Sequence, residues 1–202
     1  MSLEKDLPGP FREGIKALLR VLDPEDNSTG GGAASAVAGA MAAALLAMVG
    51  RLSLGNPGME PRSFYESLVS EAQGLAQVLM LGAQEDAEAF EFVMAAYRMP
   101  KADEKDRQKR QEAIQKALEK AAQVPLENAR VCARVLELCR LTEDRYNPRA
   151  SSDFNCARYL AKAALKGCLE NVSINLSHLE SPELVEELTQ ASQELETWVV
   201  SF

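Results

Sequence analysis

Seventeen consecutive residues without a charge, Ala33 to Val49, follow directly on Gly30-Gly31-Gly32. Alanine dominates the run, and alanine is the strongest helix former because it has no side-chain freedom to lose. A helix with no charged face has to be covered on most sides, by protein or by lipid. The run falls short of the roughly 20 apolar residues that a span needs, and alanine is only marginally favourable in lipid. It is therefore expected as a buried central helix, with small side chains that let neighbouring helices approach closely.

The rest of the chain supports a helical class. Hydrophobic residues make up 47% of the 202 residues and aromatics only 5%, with 30 alanines. That is too apolar for a disordered chain, and the length fits one domain spanning residues 1–202. Seven helical stretches are read: Pro10 to Leu22, one starting after Gly30-Gly31-Gly32 and running to Leu54, Pro61 to Tyr97, Glu104 to Gln123, Pro125 to Leu141, Ser152 to Leu176, and one opened by Ser181-Pro182. Pro125 is taken to start a new helix, since proline suits a first helical position. Gly55-Asn56-Pro57-Gly58 and Tyr146-Asn147-Pro148 read as turns. No stretch alternates with period two for long, so no strand is expected. The predicted fold is an all-α single-domain bundle.

Charge and cysteine usage narrow the function classes. The formal net charge of −8 argues against nucleic acid as a partner, which demands a basic face. Cys132, Cys139, Cys156 and Cys168 form no CxxC pair, and His178 is the single histidine, so no metal site is expected. The cysteines read as buried reduced thiols, and Met1 to Pro10 has no apolar leader, which together predict a cytoplasmic protein with no membrane partner.

The informative residues are polar ones on apolar helix faces. In the third helix Phe64, Leu68, Ala72, Leu75, Leu79, Gly82, Asp86, Phe90, Val93 and Tyr97 share one face. A carboxylate there must find donors or hold its proton, and either condition makes Asp86 a candidate acid or base. It also fits an aspartate bonded to backbone at a helix crossing. Glu85 and Glu88 read as solvated. In the sixth helix Asp153, Ala157, Leu160, Ala164, Gly167, Asn171 and Ile174 share a face, with His178 one step further. Gly167 would admit a close helix neighbour. Asp153 suits a ligand contact or the first helical turn, with Ser152 as the cap. Asn171 suits a ligand contact or structural bonding, and His178 a rim position. Gly30, Gly31 and Gly32 suit an anion site at a helix N-terminus or a turn before a tightly packed helix.

Several of these segments, in order, resemble the formiminotransferase-cyclodeaminase C-terminal family, also called the cyclodeaminase/cyclohydrolase family. They are Gly30-Gly31-Gly32 with its Ala/Gly helix, Glu85-Asp86-Ala87-Glu88-Ala89-Phe90, Tyr97-Arg98-Met99-Pro100-Lys101, Val124-Pro125-Leu126, Ser152-Asp153, and Asn171-Val172-Ser173-Ile174-Asn175-Leu176. The resemblance covers nearly the whole chain. It implies an all-α homodimer that acts on one-carbon derivatives of tetrahydrofolate, with no further cofactor. One kind of member cyclises 5-formiminotetrahydrofolate to 5,10-methenyltetrahydrofolate and releases ammonia. The other opens the methenyl ring with water to give 10-formyltetrahydrofolate. The family's catalytic aspartate falls on Asp86. The chain departs from the family pattern in three places. Ala33 stands where serine is usual, Asn56 follows Gly55 where a base is usual, and Tyr146 precedes Asn147 where glycine is usual.

On this reading Asp86 moves the proton. Gly30, Gly31, Gly32, Arg98 and Lys101 supply positive potential for the anionic folate tail, and Asp153 and Asn171 hydrogen-bond the pterin. Two other readings stand beside it. One is a non-catalytic helical dimer that keeps the fold and binds folate, favoured by Ala33 and Asn56. The other is a plain bundle scaffold, which leaves the polar stripe residues unexplained.

Overall fold

The computed structural model describes residues 9–26, 29–56 and 58–200. Most of the leader reading at Met1 to Pro10 and the Pro57 part of the turn after Gly55 lie outside those residues. Six α-helices follow one another: α1 (Gly9–Leu22), α2 (Gly31–Ser53), α3 (Arg62–Tyr97), α4 (Glu104–Thr142), α5 (Ser151–Leu176) and α6 (Pro182–Val200). A 3-10 turn, Pro148–Ala150, leads into α5. No strand occurs among the described residues.

The helix count corrects the expected seven. The fourth and fifth stretches are one 39-residue helix that runs straight through Pro125. Proline inside a helix removes one N–H and leaves the carbonyl four residues back, here Ala121, without its partner. Asn175 of α5 fills that gap, its Nδ2 donating to the Ala121 carbonyl at 2.8 Å. A side chain from a neighbouring helix thus supplies the missing bond. The start of α5 is a second correction. Ser152 does not cap it; Ala150 stands at the N-cap with no side-chain bond. Asn147 instead accepts from the Arg149 N–H and opens the 3-10 turn that delivers the chain into α5.

Helices α2 to α5 run alternately up and down. One end of the bundle joins Leu46 and Val49 of α2 with Tyr65 and Leu68 of α3, Leu138 of α4 and Phe154 of α5. The opposite end brings Ala89, Val93 and Ala96 of α3 onto Ile114, Leu118 and Ala121 of α4. Between them α2 packs against α1, α3, α4 and α5. By length and hydropathy α2 would suffice to cross a membrane, yet 61% of its most apolar window is buried inside this protein. Its small residues permit that. A methyl group on Gly39 would meet Cys132, Leu79 and Ala164, one from each of three surrounding helices. At Gly167 the close neighbour is Ser35 of α2, so the expected close approach is made there.

The Tyr146-Asn147 turn locks the far end. Tyr146 stacks on Phe154 with centroids 4.2 Å apart. Asn147 donates its backbone N–H to Ser53 Oγ at 2.9 Å and its side-chain amide to the Leu52 carbonyl at 3.0 Å. The cysteine expectation holds for Cys132, Cys139 and Cys168, which are buried, and fails for Cys156, which faces outward on α5. Burial pushes the Cys139 thiol up to about 12, so it stays protonated at neutral pH.

Candidate active site

The N-terminus of α2, the C-terminal half of α3, the first half of α4 and the last turns of α5 enclose a cavity of about 410 Å³. Its walls are apolar: Phe90, Val93, Met94 and Tyr97 from α3, Leu118 from α4 and Ile174 from α5. That explains why Phe90 and Tyr97 continue the apolar stripe and yet stay about two-fifths exposed. Their outer faces form the wall of a binding site rather than part of the core.

Asp86 sits in this wall. Burial raises its carboxyl from 3.8 to about 6, and a hydrogen bond from the Ala33 backbone N–H opposes part of that rise. The donor is one of the N–H groups left free in the first turn of α2. At the helix start where the glycine run was expected to receive a ligand anion, the Ala33 N–H is bonded to the protein's own Asp86 carboxyl. Gly32 makes this possible, because a methyl group there would fall on the Asp86 carboxylate. Gly31 does the same for Asn171, whose Nδ2 would lie 3.1 Å from an added methyl. Asn128, buried in α4, donates to the Gly82 carbonyl at 3.2 Å and fixes α3 one turn before Asp86. The usual serine at position 33 is replaced by alanine, but the Asp86 contact uses the backbone and survives the change.

The other expected residues divide. Gly30 and Asn171 line the cavity with Asp86, and His178 lies on its rim. Glu85 is exposed, whereas Glu88 is half-buried and accepts from Gln84. Arg98 and Lys101 are exposed just beyond Tyr97 and do not line the cavity. Asp153 lies 18 residues before Asn171 on the same helix, roughly 27 Å away by helical rise, so the chain does not bring it to this site. Gly55 and Asn56 are at the far end of α2, roughly 33 Å from the glycine run.

The formiminotransferase-cyclodeaminase family profile matches residues 14–194. This chain belongs to that family. It is 34% identical over 176 residues to the methenyltetrahydrofolate cyclohydrolase of Methylorubrum extorquens, covering 87% of this chain and 85% of the relative. It is 27% identical to the formimidoyltransferase-cyclodeaminase of Gallus gallus, of which it spans only a third. The crystal structure of formiminotetrahydrofolate cyclodeaminase from Thermotoga maritima superposes with a TM-score of 0.80 at 27% identity, covering 98% of this chain and 92% of that one.

Three site residues were missed in the sequence. Thr29 lines the cavity, and its Oγ1 is buried with no partner among the described residues. A buried hydroxyl without a bond is costly, so a ligand or water belongs there; only the adjacent glycine run pointed to it. Arg110 reaches back from α4, its guanidinium 5.6 Å from the Tyr97 ring centroid and donating to the Tyr97 carbonyl at 3.1 Å. It holds a positive charge behind the Tyr97 part of the cavity wall, and only a contact between distant helices reveals it. Asn175 lines the cavity beside Ala121, and its sequence signal was the proline in α4. Finally, His178 Nδ1 lies 3.1 Å from the Ile174 carbonyl, which only accepts.

Proposed function

We propose that this protein interconverts one-carbon derivatives of tetrahydrofolate in the α2–α5 cavity, with Asp86 as the proton-transferring group. The carrying observation is a half-desolvated carboxyl, raised to about 6, inside an apolar cavity of about 410 Å³. A group titrating just below neutral is mostly ionised at pH 7 and can still hold a proton transiently.

Cyclohydrolysis is the reaction we favour, because the chain matches most of the length of the Methylorubrum extorquens cyclohydrolase. Water attacks the methenyl carbon between N5 and N10, and Asp86 takes the water proton. The tetrahedral carbon then releases N5, which receives that proton, while the remaining hydroxyl proton leaves to solvent as the formyl C=O forms, giving 10-formyltetrahydrofolate. Cyclodeamination is the second reading, favoured by the superposition on the Thermotoga maritima cyclodeaminase. There N10 attacks the formimino carbon, the proton from N10 passes through Asp86 to the leaving nitrogen, and ammonia departs. In both reactions the cavity holds nitrogen and carbon in contact while one carboxyl moves one proton. No step calls for a metal or a second cofactor.

The absorbance band of 5,10-methenyltetrahydrofolate separates the readings. Its decay faster than in buffer marks the cyclohydrolase. Its growth from 5-formiminotetrahydrofolate marks the cyclodeaminase. Neither change, with folate still bound, would leave a non-catalytic binding protein.

We further propose a homodimer formed through α2. Ala34, Ala38, Met41, Leu45, Met48 and Leu52 share one face of that helix and are at best half-buried. Beside it α5 exposes Cys156, Tyr159 and Ala163. This uncharged surface fits a second copy of itself, as a two-fold interface requires. Its cytoplasmic location follows from the reduced-thiol reading of the cysteines.

A further inference from the structure

Asn175 makes two bonds through one nitrogen. Its Nδ2 donates to the Ala121 carbonyl of α4 and to the Asn171 carbonyl of its own helix, both at 2.8 Å. Both partners are carbonyl oxygens, which only accept, so the amide has one permissible orientation. Its NH₂ is committed to the backbone and Oδ1 points the other way. Oδ1 has no partner among the described residues, is not a buried orphan, and belongs to a residue that lines the cavity. Pro125 enforces the arrangement. Without an N–H at 125, the Ala121 carbonyl lacks its usual helical donor, and the amide takes that place.

We propose that Asn175 is a specificity-determining residue whose Oδ1 accepts a hydrogen bond from the amino and ring N–H edge of the bound pterin. This rests on the folate reading above. A pterin offers such an edge: an exocyclic amino group beside a ring N–H. An acceptor pinned on its other side by backbone rewards that edge, and a ligand without it leaves Oδ1 unpaired in an apolar cavity.

The test compares 5,10-methenyltetrahydrofolate with its 2-desamino-2-methyl analogue, read as the ratio of kcat/KM values. Wild-type protein is expected to favour the natural compound about 10-fold or more, and Asn175→Ala to lose most of that preference. Asn175→Ala also orphans the Ala121 carbonyl, so the double variant Pro125→Ala/Asn175→Ala supplies the control. Its new N–H at 125 gives the Ala121 carbonyl a partner while the acceptor stays missing. We expect thermal stability to recover in the double variant and the preference to remain lost. Recovery of the preference together with stability would make Asn175 purely structural and overturn the proposal. So would a wild-type preference retained in Asn175→Ala. A wild-type protein that converts the analogue as well as the natural compound sinks this proposal alone. A wild-type protein that neither binds nor converts either compound overturns it along with the folate reading.

Discussion

Asp86 is held at a cost set by its burial. Its carboxyl stands at about 6 in the folded protein against 3.8 ordinarily. Between those values the folded state keeps a proton that the unfolded chain has released. The contribution of Asp86 to stability is therefore fullest below about pH 4 and is lost as pH rises through 6, by about 3 kcal/mol at 1.36 kcal/mol per unit. Asparagine at this position can still accept from the Ala33 N–H and carries no charge to desolvate. We expect Asp86→Asn to be more stable than wild type at neutral pH, with the gap closing near pH 4, as measured by denaturant unfolding at the two values. An equal or lower stability at neutral pH would mean the carboxylate is better solvated than its surroundings show. Gly32→Ala makes the complementary prediction. A methyl group there displaces the carboxylate from the Ala33 N–H, and a shift of even 1 Å in a reacting group can cost about 100-fold. Turnover at the wild-type rate in that variant would remove the close approach from the account of the site. The stripe periodicity made Asp86 legible from sequence alone. It did not show that the helix end behind the glycines would be filled by that same carboxylate, because the two lie more than 50 residues apart in the chain.

Among the elements, α4 departs furthest from its sequence. Local rules end a helix before a proline, and here the helix continues because a side chain 50 residues downstream replaces the lost bond. No window around Pro125 contains that information. The Asn171 segment does carry a trace of it, since Asn171 and Asn175 are four apart and so share a face. Orphaning the Ala121 carbonyl with Asn175→Ala is expected to lower stability by about 1 to 3 kcal/mol, measured by chemical denaturation. Pro125→Ala in the same background should return most of it. Additive losses in that cycle would show that the two residues are uncoupled. Other elements follow their local signals closely. Asp103 caps α4 by accepting from the Asp106 N–H at 2.8 Å, and Gly55 and Gly58 take positive φ in the turn after α2. The Ser152 cap fails because the residues before it already form the 3-10 turn.

Across the whole molecule, the functional residues gather at one end of the bundle and the architectural turn at the other. Asp153, Asn56 and Tyr146 belong to that far end, so within one chain their departures and roles bear on packing rather than on the cavity. The −8 charge meets an anionic ligand at a site whose nearby cations, Arg98, Lys101 and Arg110, stand outside or behind the wall. The uncharged α2 face points to association. Met41→Glu is expected to convert the proposed dimer into monomers in sedimentation equilibrium while leaving the helical spectrum intact, and unchanged mass would contradict a dimer formed through this face. The central claim is tested most directly by following the 5,10-methenyltetrahydrofolate band from about pH 5 to about pH 8 with wild type and Asp86→Asn. We expect wild-type kcat/KM to climb through about 6 and then level off, with Asp86→Asn about 100-fold or more slower and without that inflection. Asp86→Asn matching the wild-type rate on both folates would contradict it.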